Sequence, residues 1–314
     1  MATSGSTDFS VNRNQILNEA LYSIGVISPI ETANAQMITM AARVLNMITK
    51  QWQGSSDFAP GLKVWSRKRA TLFLQKGQYQ YSLGPTGDHA TASYVSTTLT
   101  AASATNDTTL TVASITGIAS ADYVGVLLDS GTIHWTTANG APSGSTVTIT
   151  TGVTSAAASG ATVYAYTSKI SRPIEMLMVS LRNPSDIDWP LDPMSQQEYD
   201  SIGYKSVTAI PSGYLYESTL TNGTLFYDAS LSTANYRSPL VYYRPIEDFD
   251  DAGDDADYPQ SWYRPLVYQT AIDLAPRFSR PVTPELIKLR DESLAIAQRG
   301  DPETVVMYFE PDRW

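Results

Sequence analysis

Tyr123-Val124-Gly125-Val126-Leu127-Leu128-Asp129-Ser130-Gly131-Thr132-Ile133-His134-Trp135-Thr136-Thr137 reads as strand, turn, strand. Tyr123 to Leu128 and Thr132 to Thr136 carry the β-branched and aromatic residues, and Asp129-Ser130-Gly131 supplies a tight turn between them. The same reading extends outward to Thr108–Val112, Thr146–Thr150 and Thr162–Tyr166. Turns recurring at roughly ten-residue intervals predict a small sandwich or partial barrel. Composition marks the limits of this region. No Lys or Arg lies between Lys76 and Lys169, where even usage would place about six. From Ala90 to Thr167 the chain is rich in Thr, Ser, Ala and Gly, and its acids are Asp107, Asp122 and Asp129. So sharp a break predicts an all-β module set into a host.

The flanks read differently. Val11 to Ile24 repeats apolar residues at helical spacing, with Ser10 as N-cap and Gly25 as stop. A second helix is expected from Glu31 to Gly54, with its apolar stripe running from Ala33 to Trp52. Val64–Leu74 and Tyr79–Leu83 read as a hairpin about Lys76-Gly77-Gln78. Beyond the module come strands at Ile174–Leu181, Gly213–Leu220, Thr224–Tyr227 and Leu240–Tyr243, with Asn222-Gly223 as a hairpin turn. A short helix interrupts them near Ser195–Ser201. Two more helices follow, one beginning near Pro259 or Gln260 and ending before Pro276, the other from about Pro284 to Arg299. The expected fold is α+β: a helical bundle from N- and C-terminal helix pairs, a central antiparallel β region and the inserted β-sandwich-like module. The expected divisions are 1–60 and 259–300 for the helix pairs, 61–89 with 168–258 for the β region, 90–167 for the insert and 301–314 for a tail.

With 314 residues, the chain has no Cys, two His (His89 and His134), and 31 acids against 21 bases, a net charge of −10. These counts exclude disulfides, thiolate zinc sites, iron–sulfur clusters and a Cys nucleophile, and leave too few histidines for a multi-His metal centre. The net charge argues against wrapping nucleic acid by counterion release. No apolar run approaches a membrane span, so no membrane insertion is expected, and the polar start predicts no secretory signal.

Seven acids crowd one run without a base: Glu247, Asp248, Asp250, Asp251, Asp254, Asp255 and Asp257. As a calcium loop it fails at Ala252, which takes a ligand position, and at Pro259, where the bidentate Glu belongs. It reads as a solvated or channel-facing acidic loop. Arg67-Lys68-Arg69, with Lys63, forms a small basic patch suited to phosphate, to exposed strand charge or to a neighbouring subunit. Neither histidine has an acid or Ser at motif spacing, Gly-x-Ser-x-Gly is absent, and no catalytic residue, cofactor or metal site is expected. Tyr214, Tyr216, Tyr227, Tyr236, Tyr242 and Tyr243 crowd the later strands, as interface residues or simply as strand formers. The aperiodic tail ends in aromatics, with Tyr308, Phe309 and Trp314 as candidate docking residues.

Four stretches carry a resemblance: Asn18-Glu19-Ala20-Leu21 with Ile24-Gly25-Val26; Trp65 and Phe73 with Gln78-Tyr79-Gln80-Tyr81-Ser82-Leu83; Gly131-Thr132-Ile133-His134-Trp135-Thr136-Thr137; and Asp257-Tyr258-Pro259-Gln260-Ser261-Trp262 with Leu266 and Leu274-Ala275-Pro276. In this order they resemble the head-to-tail adaptor family of short-tailed bacteriophages, also called tail accessory or packaged-DNA-stabilisation proteins. The resemblance implies a non-enzymatic virion protein of the neck, made in the bacterial cytoplasm. It implies a homo-oligomeric ring, of twelve copies, below the portal protein. The ring would extend the DNA channel, help retain packaged DNA until ejection and carry tail nozzle or fibre proteins. Double-stranded DNA would pass without sequence-specific binding, and the tail would dock on the portal. Smaller members lack the insert, so its role lies outside the shared function. Two alternatives stand beside this reading: a tail-associated carbohydrate-active enzyme using a carboxylate pair, and a fibre- or receptor-binding module carried by residues 90–167.

Overall fold

Residues 5–28, 30–54 and 64–299 are described in the computed structural model. Helices α1 (Arg13–Ser23) and α2 (Ala35–Gln53) open the chain. Strands β1 (Arg67–Phe73), β2 (Gln80–Leu83), β3 (Ala90–Thr91), β4 (Val95–Thr98), β5 (Thr109–Thr111) and β6 (Tyr123–Leu127) follow. Next come β7 (Ile133–Thr137), β8 (Thr146–Thr148), β9 (Thr162–Tyr166), β10 (Glu175–Arg182), β11 (Asp188–Pro190) and β12 (Asp192–Pro193). The short α3 (Gln196–Ser201) precedes β13 (Gly213–Ser218), β14 (Gly223–Tyr227) and β15 (Arg237–Tyr243), and α4 (Tyr263–Leu274) and α5 (Pro284–Arg299) close the described chain.

The expected fold class is overturned. Among the described residues the chain is mostly β, with fifteen strands in four sheets and five helices; it is not a helical bundle from N- and C-terminal helix pairs. Two compact units result, Met1–Ser66 with Ile246–Trp314, and Arg67–Pro245.

In the first unit, periodicity found the apolar stripes but not what covers them. Ile16, Leu17, Ala20 and Leu21 of α1 and Ala41, Val44, Leu45, Ile48 and Trp52 of α2 are buried, at the three- and four-residue spacing of one helix face. Irregular chain completes their core, because Ile246, Phe249, Ala256 and Tyr258 lie in it with Trp262. An aromatic cluster fills the centre. Trp65 stands 5.3 Å from Trp262 and 5.8 Å from Tyr258, and Trp52 meets Trp262 edge-on at 5.7 Å. α4 runs only between two 3-10 turns, Gln260–Trp262 and Ala275–Phe278, and α5 buries just Leu286, Ser293 and Ala297. The helix starts also move. Asn12, not Ser10, caps α1: its side chain accepts from the Gln15 backbone N–H while the Gln15 side chain accepts from the Asn12 N–H. Asn34 caps α2, so that helix begins after Glu31.

The second unit holds all the sheets. Five strands run in the order β11-β10-β15-β1-β3 and four in the order β12-β13-β14-β2. Their inner faces share one core of Leu72, Leu74, Tyr81, Leu83, Val179, Leu181, Leu225, Tyr227, Leu240 and Tyr242. The expected β1–β2 hairpin does not form, because β1 pairs with β15 and β3 while β2 pairs with β14. Between them the chain crosses from one sheet to the other, and Gly77, at φ +76, donates its N–H to the Leu231 carbonyl. Asn222-Gly223 is likewise not a two-residue turn. Gly223 already pairs with Ser218, and a Cβ there would stand 1.9 Å from the Tyr216 hydroxyl oxygen, so glycine serves close approach.

Residues 90–167 contain β4-β9-β6-β7 as one sheet and β5-β8 as another, around their own core of Leu99, Leu110, Val112, Val124, Val126, Val147, Ile149 and Val163. The β6–β7 hairpin is paired from Tyr123↔Thr137 to Leu127↔Ile133, and Gly131 at φ +80 closes its turn.

Candidate functional site

The acidic run is a strap held down by side chains of α2. Asn46, Lys50 and Gln53 follow at spacings of four and three, so they share one helix face. Lys50 Nζ donates to the Ile246 carbonyl at 2.7 Å, and Gln53 Oε1 accepts from the Ile246 N–H at 3.1 Å. Asn46 clamps Phe249 from both sides: its Oδ1 accepts from the Phe249 N–H at 2.9 Å and its Nδ2 donates to the Phe249 carbonyl at 3.2 Å. From α1, Arg13 donates to the Asp250 and Asp254 carbonyls. Phe249 is thereby sunk into the core while the acids beside it face outward. Glu247, Asp248, Asp250, Asp251 and Asp255 are exposed, and Asp254 and Asp257 are half-buried. Asp254 and Asp257 accept backbone N–H groups from Asp251 and Glu247, at 2.6 and 3.0 Å, and Asp248 pairs with Lys50 at 2.6 Å. Among the described residues no three His, Asp or Glu side chains converge as metal ligands. Asn46→Ala would leave both backbone groups of buried Phe249 without their partner. A loss of about 1–3 kcal/mol is expected, read as a lower urea midpoint.

A second cluster joins the insert to the sheets beneath it. Phe73, at the end of β1, meets Tyr94, Trp135, Tyr164 and Tyr166, with ring centroids 4.7–6.1 Å away. Gln75 acts as a surrogate strand for β7, accepting from the Ile133 N–H at 2.9 Å and donating to its carbonyl at 2.8 Å. Trp135 lies over Gly125, where a Cβ would come within 2.6 Å of the indole. His89 stacks on Trp135 at 3.9 Å and shares a 2.6 Å hydrogen bond with the Tyr166 hydroxyl. Burial, reinforced by Lys169, pushes the His89 pKa down to about 3. Burial also lowers the Lys169 ammonium, which donates to the Gly87 carbonyl and lies 5.2 Å from the Tyr123 ring centroid. Below about pH 6.5 the unfolded chain thus binds a proton at His89 that the folded chain refuses, so stability falls with pH until about pH 3. His89→Gln is expected to flatten that fall, measured as the difference between urea midpoints at about pH 7 and about pH 5.

Surface chemistry that the sequence reading missed lies on β10 and β11. Leu177, Met178, Ile187 and Trp189 are 36, 46, 52 and 42% exposed, all on or beside one hairpin whose outer strand, β11, is the open edge of the five-stranded sheet. Leu177 is thrown out by a bulge, because the register with β15 shifts between Met176 and Met178. The hairpin is rigid. Arg182 makes a two-pronged ion pair with Asp188, at 2.6 and 2.7 Å, and Asn183 Oδ1 accepts from the N–H groups of Ser185 and Ile187. Arg237 reaches in to bond Asp186 and the Tyr94 hydroxyl. In the first unit, α5 presents Leu289 and Ile296, seven residues apart on one face, and Ile287, all exposed.

Other residues singled out from sequence take ordinary places. Tyr214, Tyr227, Tyr242 and Tyr243 are buried in their own unit, and Tyr216 and Tyr236 pack half-buried on the core between its two larger sheets, so packing within the unit accounts for them. Lys68 and Arg69 are both exposed despite their adjacency on β1; Arg67 is half-buried. His134 contacts the Thr151 carbonyl at 3.2 Å. Lys63 and the docking residues Tyr308, Phe309 and Trp314 lie outside the described residues. No described helix is long and apolar enough to cross a membrane. No family model matches the chain, and no curated protein matches it.

Proposed function

We propose that this chain is a structural subunit of a phage head-to-tail adaptor: a ring, of twelve copies, seated below the portal, extending the DNA channel and carrying tail nozzle or fibre proteins. The observation that carries the reading is the apolar sheet edge at β10–β11. An open edge bearing Trp, Met, Leu and Ile is an aggregation hazard unless another chain covers it. The hairpin is held rigid, so covering it loses little conformational entropy. A different apolar face, on α5, belongs to the other unit. Two unlike patches are what a heterologous contact joins, and heterologous contacts that close make rings. The resemblance supports the same reading: Trp65, Tyr258 and Trp262, from the second and fourth of its stretches, meet in one aromatic cluster, and Phe73 and Trp135, from the second and third, meet in the other. The charge of −10 suits a conduit, because DNA slides past acidic walls without being held. Mixing the purified chain with portal rings of the same virion tests the reading. Sedimentation is expected to show the chain joining the rings in stoichiometric, multi-copy amounts; a chain that stays free at every ratio contradicts it.

A further inference from the structure

We infer that the cleft between the start of α2 and the 3-10 turn after α4 binds a phosphate group. Ala35, Gln36, Thr39, Met40 and Arg43 line it from α2, and Arg277 lines it from the turn Ala275–Phe278, around a volume of about 340 Å³. The local sequence puts both arginines there. Arg43 lies on the α2 face opposite the buried Ala41, Val44, Leu45 and Ile48. In the turn, Leu274 and Ala275 are buried while Arg277 is exposed; Ser279, at φ +53, then reverses the chain, and Arg280 is anchored on the Gly25 carbonyl at 2.9 Å.

Both guanidinium groups are uncommitted. Among the described residues neither makes a hydrogen bond or an ion pair. The acid within Arg277's field, Asp273, already accepts from Gln269 Nε2 at 2.9 Å and does not line the cleft. The Thr39 hydroxyl is spent on the Ala35 carbonyl at 2.8 Å, and Gln36 stands beside it in the wall. No acid stands in the first turn of α2 to oppose an anion. Two unpaired guanidinium forks in one cleft select among anions. A carboxylate has two oxygens and is filled by one fork, whereas a phosphate presents three or more oxygens and enough charge to satisfy forks from two sides. In a chain of net charge −10, the site provides a local cationic contact that the overall balance lacks. The phosphate would come from a nucleic-acid backbone or from a soluble phosphate compound. The inference stands independently of the ring reading.

The test uses the full chain with two probes, pyrophosphate followed by calorimetry and a short DNA duplex followed by fluorescence anisotropy at low salt. Arg43→Gln and Arg277→Gln are each expected to weaken phosphate binding by about tenfold or more, and the double variant to abolish it. Lys288→Gln, which removes one exposed charge on α5, is expected to change nothing, and unchanged melting temperatures will show that the variants fold. Binding of pyrophosphate that depends on both arginines supports a soluble ligand. Binding of DNA alone, with the same dependence and a salt slope reduced by about one per arginine removed, supports a backbone phosphate. No binding of either probe, binding indifferent to both arginines, or citrate bound in preference to pyrophosphate overturns the inference.

Discussion

Phe73→Ala is expected to remove about 3–5 kcal/mol of stability, the largest loss we assign to one side chain. Phe73 is 1% exposed, and its ring stands among Tyr94, Trp135, Tyr164 and Tyr166. Trp135, Tyr164 and Tyr166 are large rings pinned at the strand backbones of β7 and β9, and Tyr94 is held by Arg237 just before β4, so they are poorly able to collapse into the space left behind, and the cost falls toward the upper part of that range. The damage is also localised. The core of the insert around Leu110 and Val124 and the core between the two larger sheets around Leu72 and Leu225 do not depend on this ring cluster. Hydrogen exchange is therefore expected to quicken first in β7 and β9, while α1 and α2 keep their protection. A loss below about 1 kcal/mol, or exchange that rises uniformly, would show that the aromatic cluster does not tie the insert to its base.

Trp189→Asp is expected to abolish assembly while leaving the fold intact. Trp189 is 42% exposed on the edge strand, so part of its ring is free to meet another chain, and the rest packs on its own unit. At an interface the balance reverses. A tryptophan anchor contributes about 2 kcal/mol or more to an interface, and the new carboxylate would be buried without a partner beside Asp188. In a ring every copy repeats the defect, so the loss multiplies around the circle. Sedimentation with portal rings should find the variant free, with a circular dichroism spectrum matching the parent and a urea transition that is lower but still cooperative. A variant that still joins the rings would remove the β10–β11 edge from the contact.

Local structure was legible where short-range chemistry decides it. The Asp129-Ser130-Gly131 turn, the strands beside it, the short helix near Ser195–Ser201 and the start of α5 at Pro284 all lie where their residues dictate. Partnership was not legible. Nothing local tells β1 that its neighbour is β15, about 170 residues away, instead of the adjacent β2. Strands as short as β11 and β12 escape any periodicity, and their prolines argue against strand altogether. The helical stripes encouraged a bundle because a stripe states only that a face is covered; loop residues such as Phe249 and Tyr258 cover much of it. The acidic run was conspicuous by composition, yet its fixing points, Asn46, Lys50 and Gln53, lie about 200 residues upstream. The apolar edge was hidden for the opposite reason: Ile187 and Trp189 sit among Asp, Pro and Asn, in a stretch that reads as loop.

A cryo-electron microscopy map of the chain mixed with portal rings would show the proposed ring itself. A closed ring of copies below the portal is expected, with Trp189 and Met178 of each copy covered by a neighbouring chain and an open channel along the axis. A map in which the chain is absent, or is present with the β10–β11 edge bare to solvent in every copy, would contradict it.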